Sequence, residues 1–413
     1  MSASTAALPL VSPGDLLRPR SRAAVVVILG LLVALGPFTT DLYLPAFPAV
    51  QASFGTTDVA IQLTLSATVF GFAVGQLVVG PWSDRIGRRT PLLVAAALHV
   101  VTCLAAAFAP DVAVLTVLRL LQGIGAAGGG VVAAAMVRDL FHGHRLVRML
   151  ANMGLVSGAA PILAPLVGSQ LLHVLDWRGL FVSLALYGAA ALALAVVGIG
   201  ETRLAPQRGG PVVTARIRYR RVLTDRVFIG AATVGAMQFA GIFAYLSVSP
   251  FLLQEVYGLT PQQYGLVFAL NSVGLIAGAQ TAARVMRRVG PQWILVGTVT
   301  AQLAAAVALL GMPGGSAPLG VLMVPLFVFM TASGFAFPSV QVLGLIHHGE
   351  EAGTAASLLG AGNFGLAAVV APLVGVIGSQ SASSIGVIAI TGGGLAMLAL
   401  LVLVRPRSVA PIA

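Results

Sequence analysis

Lysine is absent from this chain, cysteine occurs once, and twelve acidic residues stand against 23 arginines. The single thiol, Cys103 in an apolar run, excludes an intrachain disulfide and any cysteine-based metal cluster. Charged residues make up 8% of the chain, whereas soluble domains carry roughly 25%, so a water-soluble globular protein is excluded. The apolar runs contain neither a His-Glu-x-x-His motif nor paired aspartates, which argues against an intramembrane enzyme. The loops are too short for a receptor ectodomain, and no repeated selectivity loop suggests a channel. A sequence pI of 11.2 would point to nucleic acid in a soluble chain, but the arginines fall in short clusters between apolar runs rather than along one face. They read as topology determinants; no nucleic-acid partner, metal or cofactor is expected.

What is present is hydrophobic: 58% of the residues, with a mean hydropathy of +0.98. About 20 helical residues cross a bilayer, and apolar runs of that order fall at about 23–49, 60–81, 91–109, 112–136, 147–172, 179–199, 226–252, 262–284, 291–311, 318–341, 353–378 and 384–404. The expectation is an all-α polytopic membrane protein with twelve transmembrane helices in two pseudo-symmetric six-helix bundles. The division is 1–22, an amino-terminal tail; 23–199, the first bundle; 200–225, a linker; 226–404, the second bundle; and 405–413, a carboxy-terminal tail. Arg18, Arg20 and Arg22 ahead of an apolar run superficially suggest a signal peptide, but the run is too long and lacks a clear cleavage site, so it is read as a retained first span. All arginines except Arg119 and Arg178 lie on the tail side of the spans, which predicts that both termini are cytoplasmic. The linker, with Gly209-Gly210-Pro211 and Arg216, Arg218, Arg220 and Arg221, is read as a solvated segment held at anionic headgroups.

The halves echo each other. Tyr43-Leu44-Pro45-Ala46-Phe47-Pro48 recurs as Tyr245-Leu246-Ser247-Val248-Ser249-Pro250, Ala164-Pro165-Leu166-Val167-Gly168 recurs identically at Ala371–Gly375, and the Arg85–Arg89 cluster is echoed by Arg284–Arg288. Duplicated six-helix units of this kind rock about a midplane site in transporters. The copies differ at one decisive position: Phe243 stands where the first half has Asp41.

Asp41 alone among the acids lies well inside an apolar run. A carboxylate in hydrocarbon costs about 2.5–3.5 kcal/mol on insertion scales and marks a functional position by default. Removal from water favours the protonated acid, so such a group is suited to taking up and releasing a proton. The only arginine well inside a span is Arg119. Counting 1.5 Å per residue from the span ends puts both roughly 12–14 Å below the same face, and an Asp41–Arg119 pair is expected.

The loop after the second span reads Gly80-Pro81-Trp82-Ser83-Asp84-Arg85-Ile86-Gly87-Arg88-Arg89. This matches the Gly-x-x-x-Asp-x-x-Gly-Arg-Arg signature of the major facilitator superfamily. Together with the Asp41–Pro48 stretch, Arg119-Leu-Leu-Gln-Gly123 and a Pro/Gly-rich fifth span, the chain resembles the twelve-span drug:proton antiporters, in particular the Bcr/CflA group of bicyclomycin and phenicol exporters. The resemblance implies that Asp41 carries the proton with support from Arg119. It also implies that Gly80, Asp84, Gly87, Arg88 and Arg89 form a conformational gate, Asp84 facing the eleventh helix. In the fifth span Gly154, Gly158, Pro161, Pro165 and Gly168 correspond to the motif associated with exchange, although the family's Gly-Pro pair is Gly158-Ala159 here.

Candidate substrate-binding residues are the polar and aromatic side chains of the spans: Tyr43, Phe47, Gln122, Asn152, Gln238, Phe239, Phe243, Asn271 and Asn363. His99 is read as a packing residue. The expected activity is proton-coupled multidrug efflux by a monomer in a bacterial inner membrane. With Arg119 offsetting Asp41, the expected substrates are small, moderately apolar, neutral or zwitterionic compounds, phenicol-like ones first, with a monocation as the alternative. The alternative is proton-coupled uptake of a small nutrient such as a nucleoside, sugar or organic acid.

Overall fold

The computed structural model describes residues 19–203, 215–312, 317–348, 351–378 and 380–409. Arg18, and Arg208 with Gly209-Gly210-Pro211 of the linker, lie outside the described residues. The first half comprises α1 (Pro19–Asp41), a 3-10 turn at Leu44–Ala46, α2 (Phe47–Phe54), α3 (Asp58–Ile86), α4 (Arg89–Ala107), α5 (Val112–Leu140), α6 (Gly143–Leu171) and α7 (Trp177–Gly198). The short α8 (Ala215–Thr224) follows. The second half comprises α9 (Arg226–Phe251), α10 (Pro261–Val289), α11 (Pro291–Leu310), α12 (Leu319–Leu345), α13 (Ala352–Gly378) and α14 (Ala382–Ala399). Eleven stretches are long and apolar enough to cross a membrane, the first running from α1 through α2, and α6 contributes a shorter apolar stretch, Gly158–Leu171. The expected all-α, two-bundle architecture is the one observed.

Four acidic side chains serve helix starts, where backbone N–H groups lack partners and the dipole favours negative charge. Asp111, Asp176 and Asp225 accept from the first-turn N–H groups of α5, α7 and α9. Glu201, beyond the end of α7, reaches across to the start of α4 and accepts from the N–H groups of Arg88 (2.8 Å) and Arg89 (3.1 Å). Burial alone would raise the Glu201 carboxyl, but the backbone donors of Arg88, Arg203, Arg89 and Thr202 outweigh it and hold the group below its ordinary value. Asp41 has no such post. It ends α1, where the helix dipole disfavours a negative charge.

Each half contains a close helix crossing in which paired glycines face backbone carbonyls. A Cβ on Gly123 of α5 would run into the Thr68 carbonyl of α3, and one on Gly71 into the Leu120 carbonyl. The second half repeats this arrangement: a Cβ on Gly334 of α12 would strike the Leu275 carbonyl of α10, and one on Gly278 the Thr331 carbonyl. Small residues let membrane helices approach to backbone contact. The halves meet along two seams, α3 against α13 and α6 against α10.

These crossings give a direct prediction. Gly334→Ala should lower the unfolding temperature of the purified protein measurably, overpacking costing about 1–3 kcal/mol. Gly362→Ala, whose Cβ would meet nothing within 4 Å, should leave it unchanged.

Candidate functional site

The first span is broken where its acid lies. Pro45 has no N–H to offer the Asp41 carbonyl, and the chain leaves the α-helix at Leu42, passes through the 3-10 turn and restarts at Phe47. The break is packed from behind by α6, where Gly168 leaves no room for a Cβ against the Leu42 carbonyl.

Arg119 fills the other side of the break. Its guanidinium is fully buried, and its Nη1 donates to the Thr39 carbonyl at 2.9 Å and to Gln122 Oε1 at 2.6 Å. The Tyr43 and Phe181 rings lie 4.8 and 5.7 Å from its central carbon. The expected ion pair is not formed: among the described residues no salt bridge joins Arg119 to Asp41. The reason is angular. Side chains two positions apart lie on nearly opposite faces of a helix, so α1 turns Thr39 toward Arg119 and Asp41 away from it. The Asp41 carboxyl instead accepts from Thr40 Oγ1 at 2.8 Å.

Asp41 and Thr40 line a chamber of about 480 Å³ between the two halves. Its walls carry Phe72, Phe239, Phe243, Phe268, Phe337 and Phe364, with Gln76 and Ser272 among the few other polar residues. Among the described residues, Asp41 is the only ionisable one on this lining. A second chamber of about 720 Å³ continues from it, sharing Gln76, Phe239, Phe337 and Phe364 and adding Gln238, Gln341, Ser357, Asn363 and Arg138. Arg138 closes α5 and Gly353 opens α13, so this chamber extends toward the arginine-bearing end of the molecule.

The opposite end is shut by contacts between the halves. Gln62 Nε2 donates to the Ser247 carbonyl at 3.1 Å, Gln254 Nε2 to Pro45 at 3.2 Å, Gln262 Nε2 to Ser169 at 2.9 Å, and Ser272 Oγ to Pro161 at 3.2 Å. The rings of Phe47 and Phe251 meet at 5.8 Å. At the arginine-bearing end the described ion pairs stay within one half. Arg88 binds Asp84 at 2.5 Å and Asp139 at 2.8 Å in the first half, while Arg221 meets Glu351 and both His347 and His348 meet Asp225 in the second. The conformation is open at that end. Asp84 is largely exposed and held by Arg88 rather than by α13.

The structure therefore sorts the expected binding residues. Phe239 and Phe243 line the upper chamber, and Gln238 and Asn363 the lower. Tyr43 and Phe47 are buried in the closed end instead. Gln122 is committed to Arg119, Asn271 donates to the Tyr245 hydroxyl, and Asn152 is exposed. In the fifth span Pro161 lines the upper chamber and Pro165 is buried. Reading by residue type missed Phe72 and Gln76. A face argument finds them: Gly71 and Gly75 press α3 against α5, which leaves residues 72 and 76 on another face, one turn apart.

A chamber between two repeated helical bundles, open at one end and closed by cross-bundle contacts at the other, defines a membrane transporter of the alternating-access kind. The chain belongs to the Major Facilitator Superfamily, whose family model matches residues 28–372. An uncharacterized MFS-type transporter of Bacillus subtilis, YdgK, is 34% identical over 86% of this chain and 90% of its own. A bicyclomycin resistance protein homolog of Haemophilus influenzae is 27% identical over 86% and 89%, and the multidrug resistance protein MdtL of Escherichia coli O157:H7 is 27% identical over 80% and 82%. In fold, the chain superimposes on a bacterial homolog of the lysosomal transporter Spinster, in an inward-facing unoccupied conformation, with a TM-score of 0.69 at 14% identity, covering 96% of this chain and all of the other.

The open chamber is testable by labelling. In a Cys103→Ser background, Gln341→Cys and Ser357→Cys should react with a membrane-impermeant maleimide presented at the arginine-bearing face, and Phe47→Cys should stay unreactive from either face. Rapid labelling of Phe47→Cys without added substrate would show the other end to be open.

Proposed function

We propose that this transporter is a proton-coupled drug exporter of the bacterial inner membrane, with both termini cytoplasmic, and that Asp41 exchanges its proton for substrate. One observation carries the reading: a single carboxyl, hydrogen-bonded to Thr40, on the wall of an aromatic chamber with no other ionisable group among its described lining residues. The drug-resistance names of two relatives support export over nutrient uptake, and the clustering of arginines supports the orientation.

In the proposed cycle, substrate enters from the cytoplasm past Gln341 and Ser357 and stacks among Phe239, Phe337 and Phe364 below an ionised Asp41. The halves then rock: the seal of Gln62, Gln254, Gln262 and Ser272 opens, and the gate of Asp84 and Arg88 closes on α13. A proton arriving from outside neutralises Asp41 and substrate leaves; on return the proton passes to the cytoplasm. Asn363 and Gln238 offer hydrogen bonds to polar groups of the substrate. Gly158 and Pro161 of α6 and Asn271 of α10 act on this cycle through helix packing.

The charge of the chamber revises the expected substrates. Arg119 faces away and does not offset Asp41, so the lining carries one negative charge when Asp41 is ionised and none when it is protonated. Small neutral, phenicol-like compounds remain suitable, and the ionised carboxylate adds a site for a lipophilic monocation.

Expression in an efflux-deficient bacterium should raise resistance to a neutral phenicol, to ethidium, or to both. Asp41→Asn at equal expression, or a proton uncoupler, should return susceptibility to the level of the empty host. Resistance undiminished by Asp41→Asn would refute Asp41 as the proton carrier, and absence of resistance to every compound tested would refute drug export.

A further inference from the structure

Behind the break in the first span, a closed ring of side chains ties α1, α4 and α5 together around a histidine that the proposed cycle does not use. His99 of α4 is fully buried, with Nε2 at 2.8 Å from Thr39 Oγ1. The Thr39 hydroxyl already donates its one proton to the Leu35 carbonyl at 2.6 Å, so the imidazole must donate and Nε2 carries the hydrogen. Cys103 Sγ packs against the ring, 3.6 Å from Nδ1 and 3.7 Å from Nε2. Gln122 Nε2 donates to that sulfur at 2.8 Å, and Arg119 donates to Gln122 Oε1 and to the Thr39 carbonyl. The contacts run from Arg119 through Gln122 to Cys103, whose sulfur packs against the His99 ring, and from His99 to Thr39. The groups facing the imidazole are Thr39 on α1, Cys103 on α4, Arg119 on α5 and the backbone of Gly188 on α7, packed against Nδ1. Arg119 is the only charged group among them. A neutral, Nε2-protonated imidazole is the form that completes the ring.

We infer that His99 is a positioning residue for Asp41: its hydrogen bond to Thr39 fixes the rotation of the last turn of α1, holding the Asp41 carboxyl in the chamber and out of reach of Arg119. The guanidinium has an attraction to offer. Its Nε and Nη2 are buried without a hydrogen-bond partner, and a turn freed by loss of the His99 bond swings Asp41 toward them. The inference rests on Asp41 being the proton carrier, and its test separates the two.

The test uses the purified full-length protein and dicyclohexylcarbodiimide, which modifies protonated carboxyls in apolar surroundings; labelling of Asp41 is followed by mass spectrometry near neutral pH. Pairing with an arginine shifts a carboxyl by about 1–3 pH units toward the ionised form. His99→Leu should therefore label at least about tenfold more slowly than the parent protein, and His99→Gln, which keeps an N–H donor, should recover most of the rate. Thr39→Val removes the same bond from the other side and should match His99→Leu, with Thr39→Ser as its rescue. This second pair decides the matter if His99→Leu does not fold. Parent-like labelling in folded His99→Leu or Thr39→Val, or equal slowing in the rescue variants, overturns the positioning role and leaves the proton carrier intact. A parent protein whose Asp41 is never modified overturns the proton-carrier reading and this inference with it.

Discussion

A guanidinium buried in the membrane-spanning part of the protein without a carboxylate beside it is the constraint on which the site depends. Burying a charge of this size costs several kcal/mol even after the surroundings relax, and Arg119 is solvated by a backbone carbonyl, an amide and two aromatic rings. In an unbroken helix the Thr39 carbonyl would be occupied by the N–H of residue 43. Ending α1 at Asp41 makes that carbonyl available to Arg119 and leaves Asp41 at a helix C-terminus facing a chamber. The break, the buried cation and the isolated acid are one arrangement.

The second half repeats the geometry without the charge. Gln238 of α9, Gln302 of α11 and Ser333 of α12 form a buried cluster in which the two amides exchange hydrogen bonds and Gln302 Nε2 donates to Ser333 Oγ at 2.8 Å. In the first half the corresponding helices supply Thr39, His99 and Arg119. Buried polar networks that satisfy their members fix helix rotation, so both halves keep a polar pin between their first, third and fourth spans. Only the first half makes its pin from an arginine, and only there does the opening α-helix end on an acid, α1 at Asp41 and α9 at Phe251. Phe243, in the position of Asp41, lines the same chamber as part of its aromatic wall. In the proposed cycle the divergence of the repeat separates proton chemistry from substrate packing across one cavity.

The sequence carried the fold plainly, because twelve apolar runs, three echoed motifs and arginines gathered almost wholly on one side reflect bilayer thickness, duplication and charge placement. Asp41 was equally visible, as a lone acid in an apolar run. Its partner was not. Depth along the helix placed Arg119 at the right level, and the structure does bring it to the same turn of α1, but depth says nothing about which side of the helix a group approaches. His99 and Cys103 looked like packing residues because a single polar side chain in an apolar helix carries no signal of what it meets. Phe72 and Gln76 were hidden for another reason: they are identified by the glycines that turn α3 the other way, and that crossing is visible only once the helices are assembled.

The way the two ends are held bears on how little energy the motion requires. Four side-chain bonds to backbone carbonyls close one end between the halves, each contributing about 0.5–1.5 kcal/mol net. The described ion pairs at the other end lie within each half and survive a rigid rocking of one half against the other. The seal to be broken is thus worth about 2–6 kcal/mol before packing, of the same order as the roughly 5.5 kcal/mol of differential affinity that inverts a two-state population from 1:99 to 99:1. Neutral amide and hydroxyl donors on carbonyls suit such a seal, since a carbonyl released to water is readily solvated, whereas a buried ion pair across the seam would leave two bare charges on opening. Among the described contacts, the ion pairs lie inside each bundle, where they preserve its shape, and the neutral hydrogen bonds named above lie between bundles, where the proposed exchange of proton and substrate would shift the balance.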